Sequence, residues 1–180
     1  MASPQSLSEY ERRIVAVWAA DCAEHVLPLF EAEAPEDDRA RDAIERTRAF
    51  SRGELDAAGE VRRRFVAGRA AGSADSTAAV AAARAAAQAA GVAHMGAHAL
   101  GAAAYAAKAA AEASPGDPDA LDAEIRWQLD RLQPEARAAL AHLPALGSDP
   151  AGPLGSGLLA TGILGAVIAR LQTEIGAGRS

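Results

Sequence analysis

Residues 76–111, STAAVAAARAAAQAAGVAHMGAHALGAAAYAAKAAA, largely determine the fold of this chain. Alanine dominates the segment, whose only charged side chains are Arg84 and Lys108. Alanine has the highest helix propensity, but one helix over the whole segment would be about 54 Å long, too long for a compact domain of this size. We therefore predict two helices with a break near residues 90–91. Because nearly every side of them lacks charge, both helices should be central.

The remaining composition supports an all-α fold. Fifty of the 180 residues are alanine, and only 4% are aromatic, so the residues that favour strands are scarce. A chain of this length can enclose one hydrophobic core. We predict a compact single-domain bundle of seven or eight helices around the two alanine-rich ones. The expected organisation is a helical domain at 8–143, a Gly/Pro/Ser-rich linker at 144–153, and a C-terminal helix at 154–176 docked on that domain or on a second copy.

Helix start and stop signals divide the first half of the chain. Ser8 followed by acidic residues at positions 9 and 11 predicts the start of the first helix, which Pro28 should kink or end early. Asp37 or Asp38 should begin the second helix and Gly53 should end it. A third helix is predicted over about 56–71, with three apolar residues inward, namely Val61, Phe65 and Val66.

Charge and cysteine content exclude several classes of protein. The net charge of −6 argues against non-specific nucleic-acid binding and suits a soluble protein or one that docks on a basic partner. Cys22 is the only cysteine, which excludes an intramolecular disulfide.

The first residues lack the basic start and apolar run of a signal peptide, so we expect a cytoplasmic protein. The apolar run at 154–169 is short for a membrane span and is diluted by glycine, so a span is not favoured.

Two polar groups interrupt the apolar helix patterns and are the candidate site. Helical spacing predicts that His94, His98 and Tyr105 share one stripe. Asp21 and His25 are four residues apart on the first helix. Packing of the helices should bring these faces together, with the aromatic side chain of Trp18 and the thiol of Cys22 alongside Asp21.

Three functions are open for this cluster. It is a hydrogen-bonded network that fixes helix register, or a divalent-metal site formed by His94, His98, Asp21 and His25, or a site for acid/base chemistry or ligand binding. In an enzyme His94 and His98 would be the acid/base pair, with Asp21 orienting them. A ligand-binding site would also use Trp18, Arg39, and Tyr105. Apart from that metal, no cofactor is expected.

Four strings in order resemble a known family: WAADCAEHVLPLFE (18–31), EDDRARDAIERTRAFSRGE (36–54), AHMGAHALGAAAYAAKAA (93–110) and EIRWQLDRL (124–132). Together they resemble the immunity-protein-five-like family of actinobacteria, over about residues 12–140. This resemblance implies a single all-helical domain that neutralises a toxin of a polymorphic toxin system. The family's polar motif falls on Asp21, Arg39, His94 and His98. The extension at 146–180 lies beyond the resemblance.

The primary functional prediction is therefore stoichiometric binding of a toxin domain, with an acidic surface covering a basic partner. The alternative is a small helical enzyme or ligand-binding protein, for instance a biosynthetic one, that uses the His/Asp cluster on a small molecule. A third interpretation is a homodimer assembled through the C-terminal helix. The sequence names neither the toxin nor the small molecule.

Overall fold

The fold is all-helical in the computed structural model, which describes residues 3–177 apart from the side chains of residues 61, 62 and 64. The described residues contain no strand, which confirms the predicted fold class. They form eight α-helices: α1 (Glu9–Glu31), α2 (Arg39–Ser51), α3 (Ala57–Gly68), α4 (Thr77–Gly91), α5 (His98–Ala113), α6 (Ala120–Asp130), α7 (Pro134–Leu140) and α8 (Gly162–Ala177). Short 3₁₀ helices occur at Arg69–Ser73 and Leu158–Ala160.

The alanine-rich helices α4 and α5 are the centre of the bundle, as predicted. They pack most extensively against each other, and α1 packs across both. Of the 16 residues of α5, ten are buried, and seven of those ten are alanines. Because alanine side chains are small, the helix backbones approach closely and the core is packed with little side-chain volume. Helices α2 and α3 cover α4, while α6 and α8 cover α5.

The local start and stop signals mark the true helix ends. Ser8 caps α1 in a reciprocal capping box, in which its hydroxyl accepts from the Glu11 amide and the Glu11 carboxylate accepts from the Ser8 amide. Pro28 is accommodated inside α1, which continues to Glu31. Gly53, two residues after α2, has a φ of 79°, the left-handed conformation that favours glycine.

The break between α4 and α5 is where predicted, but it is wider and carries His94. Residues 92–97 lie between the helices, so His94 is not helical and the predicted His94–His98–Tyr105 stripe is wrong. The corner is fixed by the chain that precedes α1. The amide of Gly96 donates to the Ser6 carbonyl, and a Cβ on Gly96 would lie 2.7 Å from Leu7 Cγ. Backbone pairing with this segment stabilises a turn over 92–97.

The segment predicted as a linker, 144–153, is held against the body of the protein. Gln5 is fully buried; its side-chain amide donates to the Ala151 carbonyl at 2.7 Å and accepts from the Leu154 amide at 2.8 Å. The C-terminal α-helix begins at Gly162, so the predicted start at 154 was eight residues early. Helix α8 packs on α5 and α6 of the same chain through its buried apolar face, formed by Leu164, Val167, Ile168, Leu171 and Ile175.

Two further predictions concern the apolar residues of α3 and a possible membrane span. Phe65, predicted to point inward from α3, is 65% exposed, so that prediction was wrong, and Val66 is half-buried. The side chain of Val61 lies outside the described part of the chain. No helix among the described residues combines the length and apolarity needed to cross a bilayer.

Candidate functional site

Asp21 is an ion-pairing residue on the α1 surface. Its carboxylate contacts the Arg48 guanidinium of α2 at 2.8 Å, and the same guanidinium contacts Glu24 at 2.5 Å. The Asp21 side chain is 29% exposed. The interaction therefore ties α1 to α2, in place of the predicted contact between Asp21 and the histidines.

His25 lies one turn further along α1 and contacts α6. Its Nδ1 is 2.7 Å from a carboxylate oxygen of the buried Glu124, whose other oxygen accepts from the Gln128 side chain at 3.0 Å. The His25 ring also stacks in parallel on Trp127, with centroids 3.7 Å apart.

Trp18 belongs to the same α1–α6 contact. It is 2% exposed, and its indole N–H donates to the Gln128 carbonyl at 2.8 Å. The neighbouring Cys22 is fully buried, and burial together with the nearby carboxylates raises the pKa of its thiol. A thiol kept protonated in this way is a core residue rather than a nucleophile.

His94 and His98 lie at a different place, the α4–α5 corner. His94 is exposed, while His98 Nδ1 is 2.8 Å from the Gln88 side-chain oxygen. Both histidines border an open cavity of about 470 Å³ whose apolar walls include Phe65 and Met95. This cavity has the size of a small-molecule site, with two imidazoles at its edge.

The structure does not bring the two polar groups together. The corner packs on Leu7, immediately before α1, and Asp21 lies 14 residues later, about 20 Å along the helix. Among residues 3–177 no group of three or more His, Cys, Asp and Glu side chains could hold a metal ion. The predicted joint site of Asp21, His25, His94 and His98 is therefore not assembled, because the two histidines of the corner lie beside the start of α1, whereas Asp21 and His25 lie in its middle and second half.

Arg39 forms the local ion pair that its position after Asp37 and Asp38 indicates, and Tyr105 contacts the other alanine-rich helix. Arg39 pairs with Asp37 at 2.5 Å and donates to the Ser73 hydroxyl at 2.9 Å, so it does not turn towards Asp21. Tyr105 is 5% exposed and faces Arg84 of α4, whose guanidinium donates to the phenolic oxygen at 3.4 Å.

A groove on α1 is the feature that the sequence analysis missed. Tyr10 is 73% exposed and Val17 is 42% exposed; with Ile14 they line a cavity of about 480 Å³ between α1 and the turn joining α6 to α7. Residues 10, 14 and 17 adjoin the stripe that contains Trp18 and Cys22, since Ile14 and Trp18 are one turn apart and Trp18 also lines the groove. The width of this apolar side of α1 was the available signal that part of it faces solvent.

The fold and this groove define a small all-α protein with an open apolar surface on its first helix. A family model described as "Imm-5 like putative immunity protein" matches residues 5–135, and the chain belongs to that family. A comparison with curated proteins and another with solved structures each found no match.

Proposed function

We propose that this protein is an immunity protein that neutralises a toxin domain by binding it stoichiometrically. Family membership over residues 5–135 supports the class of function. The observation that carries the mechanism is the α1 groove, where apolar side chains of a folded domain face solvent. Occlusion of the toxin's active surface needs such an interface and requires no catalysis by the immunity protein.

The groove has the composition of a protein-binding surface. Four large hydrophobic side chains are exposed among the described residues, and two of them, Tyr10 and Val17, lie in this one groove. Interfaces are enriched in tyrosine and tryptophan at their centres, and a few such residues supply most of the binding energy. Tyr10 is therefore the proposed anchor, with Val17 and Ile14 as the apolar floor.

The net charge of the whole protein, rather than the lining of the groove, favours a basic partner. Arg13 is already paired with Glu9 at 2.6 Å, and Asp21 with Arg48. Glu135 and Arg131 also line the groove, and neither forms an ion pair within the described part of the chain, so their opposite charges offset each other. With the net charge of −6, the exposed carboxylates attract a basic toxin surface and accelerate its association.

Co-expression with toxin domains encoded beside this gene tests the proposal. Growth of cells that make such a toxin domain should be rescued by the wild-type protein. The double variant Tyr10→Ala/Val17→Glu should lose the rescue, because it removes the anchor and places a charge on the apolar floor. Both positions are exposed, so the substitutions leave the helical core intact.

Phe65→Ala is the matched control, since Phe65 is a large exposed apolar residue outside the groove. It should protect cells as well as the wild type does. Protection by the groove variant would overturn the choice of surface. Failure of the wild-type protein to protect against every neighbouring toxin domain would overturn the function itself.

A further inference from the structure

A second cavity, of about 440 Å³, lies between α4, α5 and the start of α8. We propose that it binds a small amphipathic carboxylate, a molecule with one carboxylate group on an apolar body. This site is independent of the toxin-binding proposal, because the cavity shares no lining residue with the α1 groove.

Both cations of the alanine-rich segment line this cavity. Arg84 and Lys108 are the only charged residues in 76–111, and they are 24 positions apart in sequence. Tyr105 and Lys108 lie three residues apart on the same face of α5, and Arg84 faces them from α4. The fold thus gathers the few polar groups of its most apolar segment at one place.

Arg84 is the member of this group whose charge is not neutralised. Lys108 is bound by the Glu112 carboxylate at 2.6 Å, whereas Arg84 forms no ion pair among the described residues. Asp75 also lines the cavity, but it precedes α4 by two residues and pairs with neither cation. About 10 Å of helix separates Thr77, at that end of α4, from Arg84. An anion is therefore recognised at the Arg84 end.

Tyr105 adds a directed donor beside the guanidinium. Its oxygen accepts from Arg84, so the phenolic hydrogen is available to a second acceptor. A carboxylate placed here would accept from the planar guanidinium and from the phenol together. Carboxylate geometry matches the two parallel N–H donors of arginine, which is the basis of bidentate recognition.

The rest of the cavity is apolar and suits the body of such a molecule. Val80, Ile163 and Leu164 are among its walls, and Leu158 at its edge is 61% exposed. An alkyl or aryl group bound there would remove apolar surface from water, which favours binding. A carboxylate without an apolar body would lack this apolar contact. A neutral amphiphile would lack the ionic interaction with Arg84.

Isothermal titration calorimetry of the full chain with decanoate, decanol and inorganic phosphate tests the assignment. Decanoate should bind saturably at one site per chain, and both other probes should bind at least tenfold more weakly. Arg84→Gln should weaken decanoate binding at least tenfold. Arg69→Gln is the matched control, because it removes the same charge from an exposed arginine away from the cavity, and it should not change the affinity.

A cavity-filling variant separates this site from other apolar surfaces. Ile163→Trp should abolish decanoate binding while the circular dichroism spectrum remains helical. Equal affinity for decanol, no saturable decanoate binding, equal effects of Arg84→Gln and Arg69→Gln, or full binding by Ile163→Trp would each overturn the proposal. If Ile163→Trp fails to fold, the decanoate affinities of Arg84→Gln and Arg69→Gln decide the outcome. Both arginines are exposed, so these two variants should fold.

Discussion

Gly96 and Leu7 hold the corner between the two central helices at the scale of single residues. Leu7 has a φ of 57°, a conformation that costs a non-glycine residue about 1–2 kcal/mol. That conformation places the Leu7 side chain directly against Gly96, where no Cβ fits. The strain at Leu7 persists because two backbone hydrogen bonds, from Gly96 to Ser6 and from Ala97 to Gln5, fix the same contact.

Gly96→Ala is therefore expected to destabilise the protein by about 1–3 kcal/mol, the usual cost of overpacking. The new Cβ would lie 2.7 Å from Leu7 Cγ and 3.0 Å from Leu7 Cβ, so the backbone before α1 has to move. Urea unfolding measures the change. Gly68→Ala is the control, because nothing lies within 4 Å of a Cβ at that helical position; it should be neutral or stabilise by up to about 1 kcal/mol. Equal stability of the two variants would contradict the packing argument.

Asp37 gives the stability of the protein a specific dependence on acid. Its hydrogen bond with Arg39 holds the pKa of the Asp37 carboxyl well below its usual value. A carboxyl whose pKa is depressed by folding stabilises the native state above its unfolded pKa, about 3.9, and that contribution is lost as the pH falls below about 4. Wild-type protein should therefore lose stability between pH 5 and pH 3 in part through this group.

Asp37→Asn should be less stable than the wild type at pH 7 and should lose less stability between pH 5 and pH 3. Urea midpoints at the three pH values measure both effects. The neighbouring Asp38, which makes no side-chain capping bond, provides the control Asp38→Asn. If the stability of Asp37→Asn depends on pH in the same way as that of the wild type, the ion pair with Arg39 does not couple folding to protonation.

Helix α8 is the element that closes the bundle over α5. Its side chains Leu164, Ile168 and Leu171 are almost fully buried against the same chain. The helix is thus part of the core, although it lies beyond residues 5–135, which the family model matches. Removing buried methyl groups from it should affect the whole domain.

Leu171→Ala is expected to cost about 2–5 kcal/mol, because Leu171 is fully buried and its truncation leaves a cavity. The exposed Thr173 on the same helix provides the control, and Thr173→Ala should change stability by less than about 0.5 kcal/mol. Both free energies of unfolding come from denaturant titrations. A small effect at Leu171 would mean that α8 is only loosely docked.

Most elements of the fold could be predicted from the sequence because helix formation is governed by nearby residues. Composition, the Ser8 cap and the Gly53 end follow from local chemistry, and the break after α4 follows from the length that one helix would have. The start of α8 and the state of 144–153 could not be predicted in this way. The state of 144–153 depends on Gln5, which reaches Ala151 and Leu154 across nearly 150 residues of sequence.

The functional surfaces are harder to predict, because the whole molecule determines which side chains are enclosed. The candidate histidines and carboxylates are divided between the α4–α5 corner, beside the start of α1, and the middle and second half of α1. His25, for example, contacts Glu124 at 99 residues' distance, a contact that no local pattern indicates. The exposure of Tyr10, Val17 and Phe65 is likewise a property of packing. Apolar periodicity alone cannot separate a buried stripe from an exposed one.

The α1 groove and the α4–α5–α8 cavity are lined by different residues of one domain. The binding of a protein partner at the groove and the binding of a carboxylate in the cavity should therefore be independent. Substitutions at Tyr10 and Val17 should leave decanoate binding unchanged, and Arg84→Gln should leave protection against the toxin unchanged. Calorimetry measures the first effect and the growth assay the second. A change in decanoate affinity or in protection would mean that the two sites are coupled.

The affinity of the purified protein for its toxin domain tests the central claim most directly. Calorimetry with the toxin domain that the wild-type protein neutralises in cells should give a one-to-one complex. Tyr10→Ala/Val17→Glu should weaken that complex by at least a hundredfold, about 2.7 kcal/mol, and Phe65→Ala should leave its affinity unchanged. Equal affinities of the wild type, the groove variant and Phe65→Ala for the toxin domain would contradict the groove as the binding surface. Neutralisation without any complex would contradict stoichiometric binding.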